Sequence, residues 1–318
     1  MTLPVHIVDA GGTHELVTIE LMTRGRYLED VGLRYERTLV TNGAEAVDRL
    51  LSGTGDVAMQ IGFGPALKAI AKGAPLKVVA ASNLLTVHAV YTRDPDIRRM
   101  KDLMGRKVGV GAYGALTHQL MYAALTKQGV DPAGVDFVHM GNSASIFQAL
   151  LRGELDAGFG ETEVFDHQAE YGVHHLEDGV LWRELTDFPN QASFATVEAI
   201  ETKREALVRT LQGHAAFYRY LQGPTSWEAF AASREAALPG SDPAESKVQW
   251  DWYRQFQPFA EDLILPRDRF DYMQALNLRM GVQAQGLPFE VVCDLSLARE
   301  AVERLDGAAA LHESSAHV

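Results

Sequence analysis

Apolar positions along the first half of this chain follow two rhythms: short continuous runs, and stripes spaced three and four residues apart. The runs predict buried strands and the stripes predict amphipathic helices. Val5–Asp9 reads as a strand ending in the turn Ala10, Gly11, Gly12 and Thr13; Leu16, Ile19 and Leu21 then mark a helix over His14–Arg26. Further strands are predicted at Leu33–Val40, Asp56–Ile61 and Leu76–Ala81, with helices at Gly43–Gly53 and Pro65–Lys72 between them. Such alternation implies a largely parallel sheet covered by helices, with ligands collecting at the carboxyl ends of the strands. Those ends are small and polar here: Gly11, Gly12 and Thr13; Gln60, Gly62 and Gly64; Ser82 and Asn83. Tight strand-to-helix turns favour Gly, Ser, Thr and Asn on their own account, so the three ends carry weight together and little singly.

Thr86–Thr92 reads as a strand leaving this first layer for the segment Asp102–Glu163, which contains one unit twice. A short apolar strand, Lys107–Gly111, enters a small-residue turn and then a helix. A second strand, Val135–Met140, does the same through Gly141, Asn142 and Ser143. Both turns place free backbone N–H groups and short hydroxyl side chains at a helix N-terminus, a seat for an anionic or strongly polar small ligand. The chain then reaches Asp156–Glu161 and a mostly helical arm over 162–171, and Phe188–Val197 is strand-like again. From Ile200 onward the pattern is helical, with stripes at Ala206, Leu207, Leu211 and Ala215 and at Phe270, Met273 and Leu276. The expectation is two α/β lobes joined by two crossings. Lobe 1 is drawn from residues 1–87 and 190–318, with the C-terminal helices packed on it, and lobe 2 from residues 88–189.

Composition narrows the partners. At 318 residues and 47% hydrophobic content the chain can fill more than one core. A formal charge of -13 argues against nucleic acid or an anionic membrane. No apolar run approaches the roughly 20 residues of a membrane span. Cys293 is the only cysteine, which excludes an intrachain disulfide and a thiolate metal cluster, and its apolar surroundings predict a buried, inert thiol. As written, Met1–Pro4 leads straight into a strand with no basic or apolar leader, which places the chain in the cytoplasm unless an export signal lies upstream.

Four segments resemble the solute-binding proteins of ABC importers, in the branch that serves nitrate, sulfonates, taurine and thiamine-pyrimidine precursors. They are GDVAMQIGFGPALKAIAKGAPLKVVAAS from Gly55, DLMGRKVGVGAYGALTHQLMYAAL from Asp102, ALLRGELDAGFGE from Ala149, and the C-terminal run MQALNLRMGVQAQGLPFEVVCDLSLAREAVERL. Together they cover most of residues 5–305. The resemblance implies a type II periplasmic-binding-protein fold whose lobes close on a small polar or anionic organic solute: a sulfonate, a carboxylate or a pyrimidine-like molecule. It further implies delivery to a membrane permease by a monomer, with no cofactor, no metal and no catalytic residue, and a periplasmic location if the leader lies upstream. Carried onto this sequence, the ligand-binding positions are Gly12, Thr13, Gln60, Gly62, Asn83 and Thr86 on the first lobe's side. On the second they are Tyr113, Gly114, Ala115, Thr117, Asn142, Ser143, Gly160 and Glu161. Thr117 and Ser143 would donate hydroxyl hydrogen bonds, Tyr113 would stack or cap, and Gly114 would admit the ligand to the backbone. No arginine stands in these loops to meet a sulfonate, and Glu161 suits a cationic or amine-bearing ligand, or a hinge carboxylate held by a backbone N–H or a nearby Lys or Arg.

The alternative is a cytoplasmic enzyme on the same scaffold, acting on an aromatic or heterocyclic acid through His14, His88, His118 and His139, all in or beside the cleft loops. His14 and His118 sit in the first turn of predicted helices, where a neutral imidazole is favoured. The fungal pyrimidine-precursor synthases that resemble this family need a cysteine-rich segment, and a desulfinase branch needs an early cysteine; neither occurs. Glycines 109, 111 and 114 match a dinucleotide fingerprint in count, but Asp136 opens the following strand instead of ending it, so that reading is set aside.

Overall fold

The strands of this protein are short and largely apolar, and they are sealed by helices on both faces. The computed structural model describes residues 2–315, with side chains to position 308. Ten strands occur among them: β1 (Leu3–Ala10), β2 (Leu33–Val40), β3 (Val57–Ile61), β4 (Leu76–Ala81), β5 (Ala89–Thr92), β6 (Lys107–Val110), β7 (Asp136–His139), β8 (Ala157–Gly160), β9 (His174–Val180) and β10 (Ala192–Thr196). They form two mixed five-stranded sheets, in the orders β2-β1-β3-β10-β4 and β7-β6-β8-β5-β9.

Each sheet contains one strand that runs against its neighbours. β10 is antiparallel to both β3 and β4, and β5 is antiparallel to both β8 and β9. These are the strands that bring the chain back into a sheet after it has crossed from the other lobe. The crossings themselves are paired: Gln191 N–H donates to the Asn83 carbonyl at 2.8 Å and Ser82 N–H to the Gln191 carbonyl at 3.2 Å. Residues 258–260 flank them, Leu84 N–H donating to the Pro258 carbonyl at 2.7 Å and Ala260 N–H to the Ser82 carbonyl at 2.9 Å.

Local sequence explains the repeated strand–turn–helix units. Asn42 caps the helix Gly43–Leu51 by accepting from the Ala44 and Glu45 amides, and Asn142 caps Ser143–Leu151 by accepting from Ser145. Each satisfies N–H groups that would otherwise be orphaned at the helix start. Helix faces such as Ala46, Val47 and Leu50 then close over the sheet, and β3 is buried along its whole length. At about 25 cal/mol per Å² of apolar surface, such faces supply most of what holds each layer together.

The predicted elements fall close to the observed ones, with two differences. β9, HHLEDGV, was not anticipated: it is an edge strand whose two histidines and two acids break the apolar run, leaving only Leu176, Gly179 and Val180 buried. The C-terminal helices pack on the first lobe, as Arg204–Leu221 against Ser296–Ser315 shows, but two of them also reach the second lobe. Pro243–Phe256 meets the helix Thr162–Asp166, and Arg267–Arg279 touches Leu116–Lys127. Cys293 is a free, buried thiol whose pKa burial pushes up to about 12.

Candidate functional site

The turns after β1 and β3 in the first lobe meet those after β8 and β6 in the second. Gly62 and Gly64 permit the closest approach. A Cβ on Gly62 would lie 3.3 Å from Leu116 Cβ, and one on Gly64 would lie 2.0 Å from the Gly114 carbonyl oxygen. Gln60, just before this turn, is buried in a left-handed backbone conformation (φ 55°), a cost that tends to be retained at functional loops.

The electrostatic centre of the junction is His14, the second residue of the helix Thr13–Arg24. Its Nε2 lies 3.0 Å from Glu163 Oε2 and 3.2 Å from Glu161 Oε2, both across the lobe boundary, and its Nδ1 lies 3.0 Å from the Tyr253 hydroxyl. Ser143 donates its hydroxyl to Glu161 Oε1, and Thr162 donates to Glu163 Oε2 at 3.2 Å. Behind Tyr253 stands a wired support. Gln249 Nε2 donates to the Tyr253 hydroxyl at 3.0 Å, and Arg234, which can only donate, fixes the orientation of the Gln249 amide through its Oε1. Arg234 closes the circuit with ion pairs to Glu163 at 3.6 Å and Glu245 at 3.4 Å.

Burial and charge set the protonation states. Burial pulls the His14 pKa down, but the Glu163 and Glu161 charges outweigh it and the net shift is upward. The neutral imidazole expected from a helix N-terminus is therefore corrected: two carboxylates within hydrogen-bond reach overwhelm a half-charge dipole. Burial, reinforced by Glu163, raises the Glu161 pKa; Glu163 is buried too, but His14 and Arg234 hold it down at about 2. His88 stays neutral, pushed down to about 3 by burial and by His14. In the floor of the first lobe, burial raises the Asp9 pKa to about 6 against the opposing charge of Arg37, 2.9 Å away.

The sequence-based candidates are distributed around this centre. Gly12 is the N-cap of the His14 helix and Thr13 its first residue. Thr86 holds His88, its Oγ1 lying 2.8 Å from His88 Nδ1, while Asn83 turns its carbonyl oxygen inward to the Leu85 amide. Thr117 is already committed: its hydroxyl oxygen accepts from Gly111 N–H at 2.8 Å, bracing the turn after β6. Tyr113 is 57% exposed and donates to the Met280 carbonyl at the rim. Gly114 takes a positive φ, and Ala115 is the N-cap of the next helix. Asn142 is occupied as a cap, Gly160 lies against the Tyr91 and Phe147 rings, and Ser143 and Glu161 meet His14 directly. His118 and His139 are drawn away from His14 into an aromatic cluster with Tyr113 and Phe137; His118, its pKa lowered to about 4 by burial, accepts the Gly114 amide at 3.0 Å.

Several residues of the junction stand outside those candidates: Asp9, Glu15, Glu163, Gln191, Arg234, Gln249 and Tyr253. An acid closing the apolar strand VHIVDA and the ETE triplet after β8 were readable signals. The Arg234, Gln249 and Tyr253 contributions come from distant helices and carry none. A separate open groove of about 410 Å³ lies between the helices Thr162–Asp166 and Pro243–Phe256, lined by Phe165, Trp182, Lys247 and Trp252 among others; it shares only Thr162 with this network.

Two mixed sheets, paired crossings and a polar junction at facing strand ends define the periplasmic-binding-protein fold, and solved structures agree. A protein from Bordetella bronchiseptica RB50 superposes with a TM-score of 0.76 at 20% identity, covering 95% of this chain and 98% of that one. The periplasmic aliphatic sulphonate binding protein SsuA from Escherichia coli gives 0.73 at 18% identity over 94% and 99%. The desulfurization enzyme DSZB gives 0.64 at 13% identity over 95% and 99%, so the same fold also carries catalysis. Among curated proteins no sequence matches. The chain belongs to the NMT1/THI5 like family, whose sequence pattern matches residues 23–221, more than half of its length.

Proposed function

We propose that this protein is the solute-binding component of an ABC importer. It captures a small organic molecule between the lobe of residues 1–87 and 190–318 and the lobe of residues 88–189, then presents it as a monomer to a membrane permease in the periplasm. Its site is the junction of Gly12, Thr13, Gln60 and Gly62 with residues 113–117, Asn142, Ser143 and Glu161. Within the range of sulfonate, carboxylate and pyrimidine-like solutes, the pyrimidine-like end fits best: a nitrogen heterocycle or amine that brings N–H donors.

The observation that carries this is the shortage of partners for enclosed acceptors. Asp9 Oδ1 and Gln191 Oε1 are buried with no hydrogen-bond donor among the described residues, and both are tied to Glu15, whose charge reaches Asp9 and which accepts from Gln191 Nε2 at 2.9 Å. The two buried guanidiniums are already ion-paired, Arg37 with Asp9 and Arg234 with Glu163 and Glu245, although Arg37 Nε and Arg234 Nε make no hydrogen bond among the described residues. Buried acceptors left unpaired each cost about 1–3 kcal/mol, and a donor-bearing solute would satisfy them. Among the described residues no helix is long and apolar enough to cross a membrane, which is compatible with a binding protein that works beside a permease.

One observation favours a second reading, an enzyme acting on a heterocyclic acid: an imidazole within reach of two carboxylates is equipped for proton transfer. Thermal-shift and calorimetric titration with aminopyrimidines, taurine, alkanesulfonates and nitrate decides between them, with mass spectrometry of each incubated compound. Tight, unconverted aminopyrimidine binding supports the first reading and conversion the second; sulfonate or nitrate binding in preference to every amine refutes the donor argument.

A further inference from the structure

We propose that His14, Glu161 and Glu163, with His88 as fourth donor, form a binding site for a divalent transition-metal ion of the Zn²⁺ class where the two lobes meet. This goes beyond the solute-binding reading and does not rest on it, since an ion held here would clamp the lobes of a binder or an enzyme alike.

The donor spacing is the first ground. His14 Nε2 is 3.2 Å from Glu161 Oε2 and 3.0 Å from Glu163 Oε2, and one ligand atom from each of the three residues fits within 4.8 Å of the others. A tetrahedral ion with bonds of about 2.0–2.1 Å holds its donors about 3.3 Å apart. The two distances from His14 Nε2 are within a few tenths of an ångström of that spacing, and the two carboxylate oxygens lie within 4.8 Å of each other.

The second ground is independent. His88 is 6% exposed, and its Nε2 has no hydrogen-bond partner among the described residues; it stands 3.9 Å from Glu161 Oε1, outside the 4.8 Å set of the other three, and would swing inward to become the fourth donor. The other nitrogen of each ring is engaged, His14 Nδ1 with the Tyr253 hydroxyl at 3.0 Å and His88 Nδ1 with Thr86 Oγ1 at 2.8 Å. That is how metal-binding imidazoles are aimed: an outer hydrogen bond on one nitrogen presents the other to the ion.

Charge is the third ground. Arg234 pairs with Glu163 and Glu245, and Glu161 stands on the other side of His14 with no guanidinium partner among the described residues. With His14 neutral as a ligand, these three carboxylates and Glu15 against Arg234 sum to minus three, and a doubly charged ion would bring the cluster to minus one. A protonated His14 leaves it one charge short of that and leaves His88 Nε2 without a role. Two imidazoles and two carboxylates with no thiolate suit Zn²⁺ or Fe²⁺ and are a poor set for Mg²⁺ or Ca²⁺.

The test is titration of the full chain, stripped with chelator and free of added solute, with Zn²⁺ by calorimetry and with Co²⁺ by visible absorption. Expected are one ion per chain, the intense bands of four-coordinate Co²⁺, a Tm that rises with Zn²⁺ and reverses with chelator, and about 100-fold weaker binding in Glu163→Gln. Tyr253→Phe, which removes the outer hydrogen bond on His14 Nδ1 together with the one from Gln249 Nε2, should weaken binding about 10-fold. If Glu163→Gln fails to fold, His88→Asn carries the same comparison. Absence of stoichiometric binding, or binding unchanged in Glu163→Gln and His88→Asn, would overturn the site. Because no solute is present, either failure leaves the solute reading to its own experiment.

Discussion

Closure of the two lobes should be blocked by a single methyl group at Gly64. This residue lies in the helix Phe63–Ala71 of the first lobe, and a Cβ there would come within 2.0 Å of the Gly114 carbonyl oxygen and 3.0 Å of Gln119 Nε2 on the second. A backbone carbonyl cannot swing aside as a side chain tip can, so Gly64→Ala must push the lobes apart or strain the turn at Gly114, itself at φ 75°. Overpacking of this kind costs about 1–3 kcal/mol. The clash exists only when the lobes meet, so the cost falls on the closed form, and solute affinity should drop about 5- to 150-fold. Calorimetric titration gives the affinity, and small-angle scattering with and without solute reports whether the chain still contracts. Gly286→Ala is the control, since its Cβ would make only an ordinary contact with Leu278 Cδ1 at 3.7 Å. Equal affinity in Gly64→Ala and wild type, with normal contraction, would refute the view that these glycines set the closed distance.

Acidity should tune the same contact. His14 has a pKa raised on folding, so its stabilisation is complete below its ordinary value of 6.5 and is lost as pH rises through the folded value. Glu163 is lowered to about 2, so its contribution holds above 4.5 and is lost as pH falls toward 2, while Glu161, raised by burial, opposes ionisation. With Glu15, Arg234, His88 and Tyr253 the other groups facing the pair, the Tm advantage of the wild-type chain over His14→Gln, measured with chelator, should be larger near pH 5.5 than near pH 8.5, while the buried neutral His88, His118 and His214 tilt the slope of both chains the other way; an equal pH slope in both chains contradicts the pairing. Thr117→Val keeps the shape but removes the acceptor for the buried Gly111 N–H, so it should cost about 1–3 kcal/mol of stability, read as a lower Tm. An unchanged Tm there, with weaker solute binding, would instead mean that the hydroxyl serves the ligand.

Which features were legible in the chain follows from the range of the forces that make them. Strand runs, helix stripes and the caps Asn42 and Asn142 are local, acting over a few residues, and they determined both α/β layers and the polar strand ends from sequence alone. So did the overall family likeness, because its segments keep their order and spacing. β9 escaped, since an edge strand of histidines and acids needs no apolar period. The charge state of His14 escaped too, for a different reason. A helix terminus is a local field, whereas Glu161 and Glu163 reach His14 only after β8 returns from the second lobe, and Tyr253 and Arg234 only after the C-terminal helices fold back. Donor distances, burial and the pairing of buried charges depend on elements far apart in sequence meeting in space. Only the tertiary structure therefore decided that the junction is a buried carboxylate–imidazole network, and that its guanidiniums are ion-paired to carboxylates.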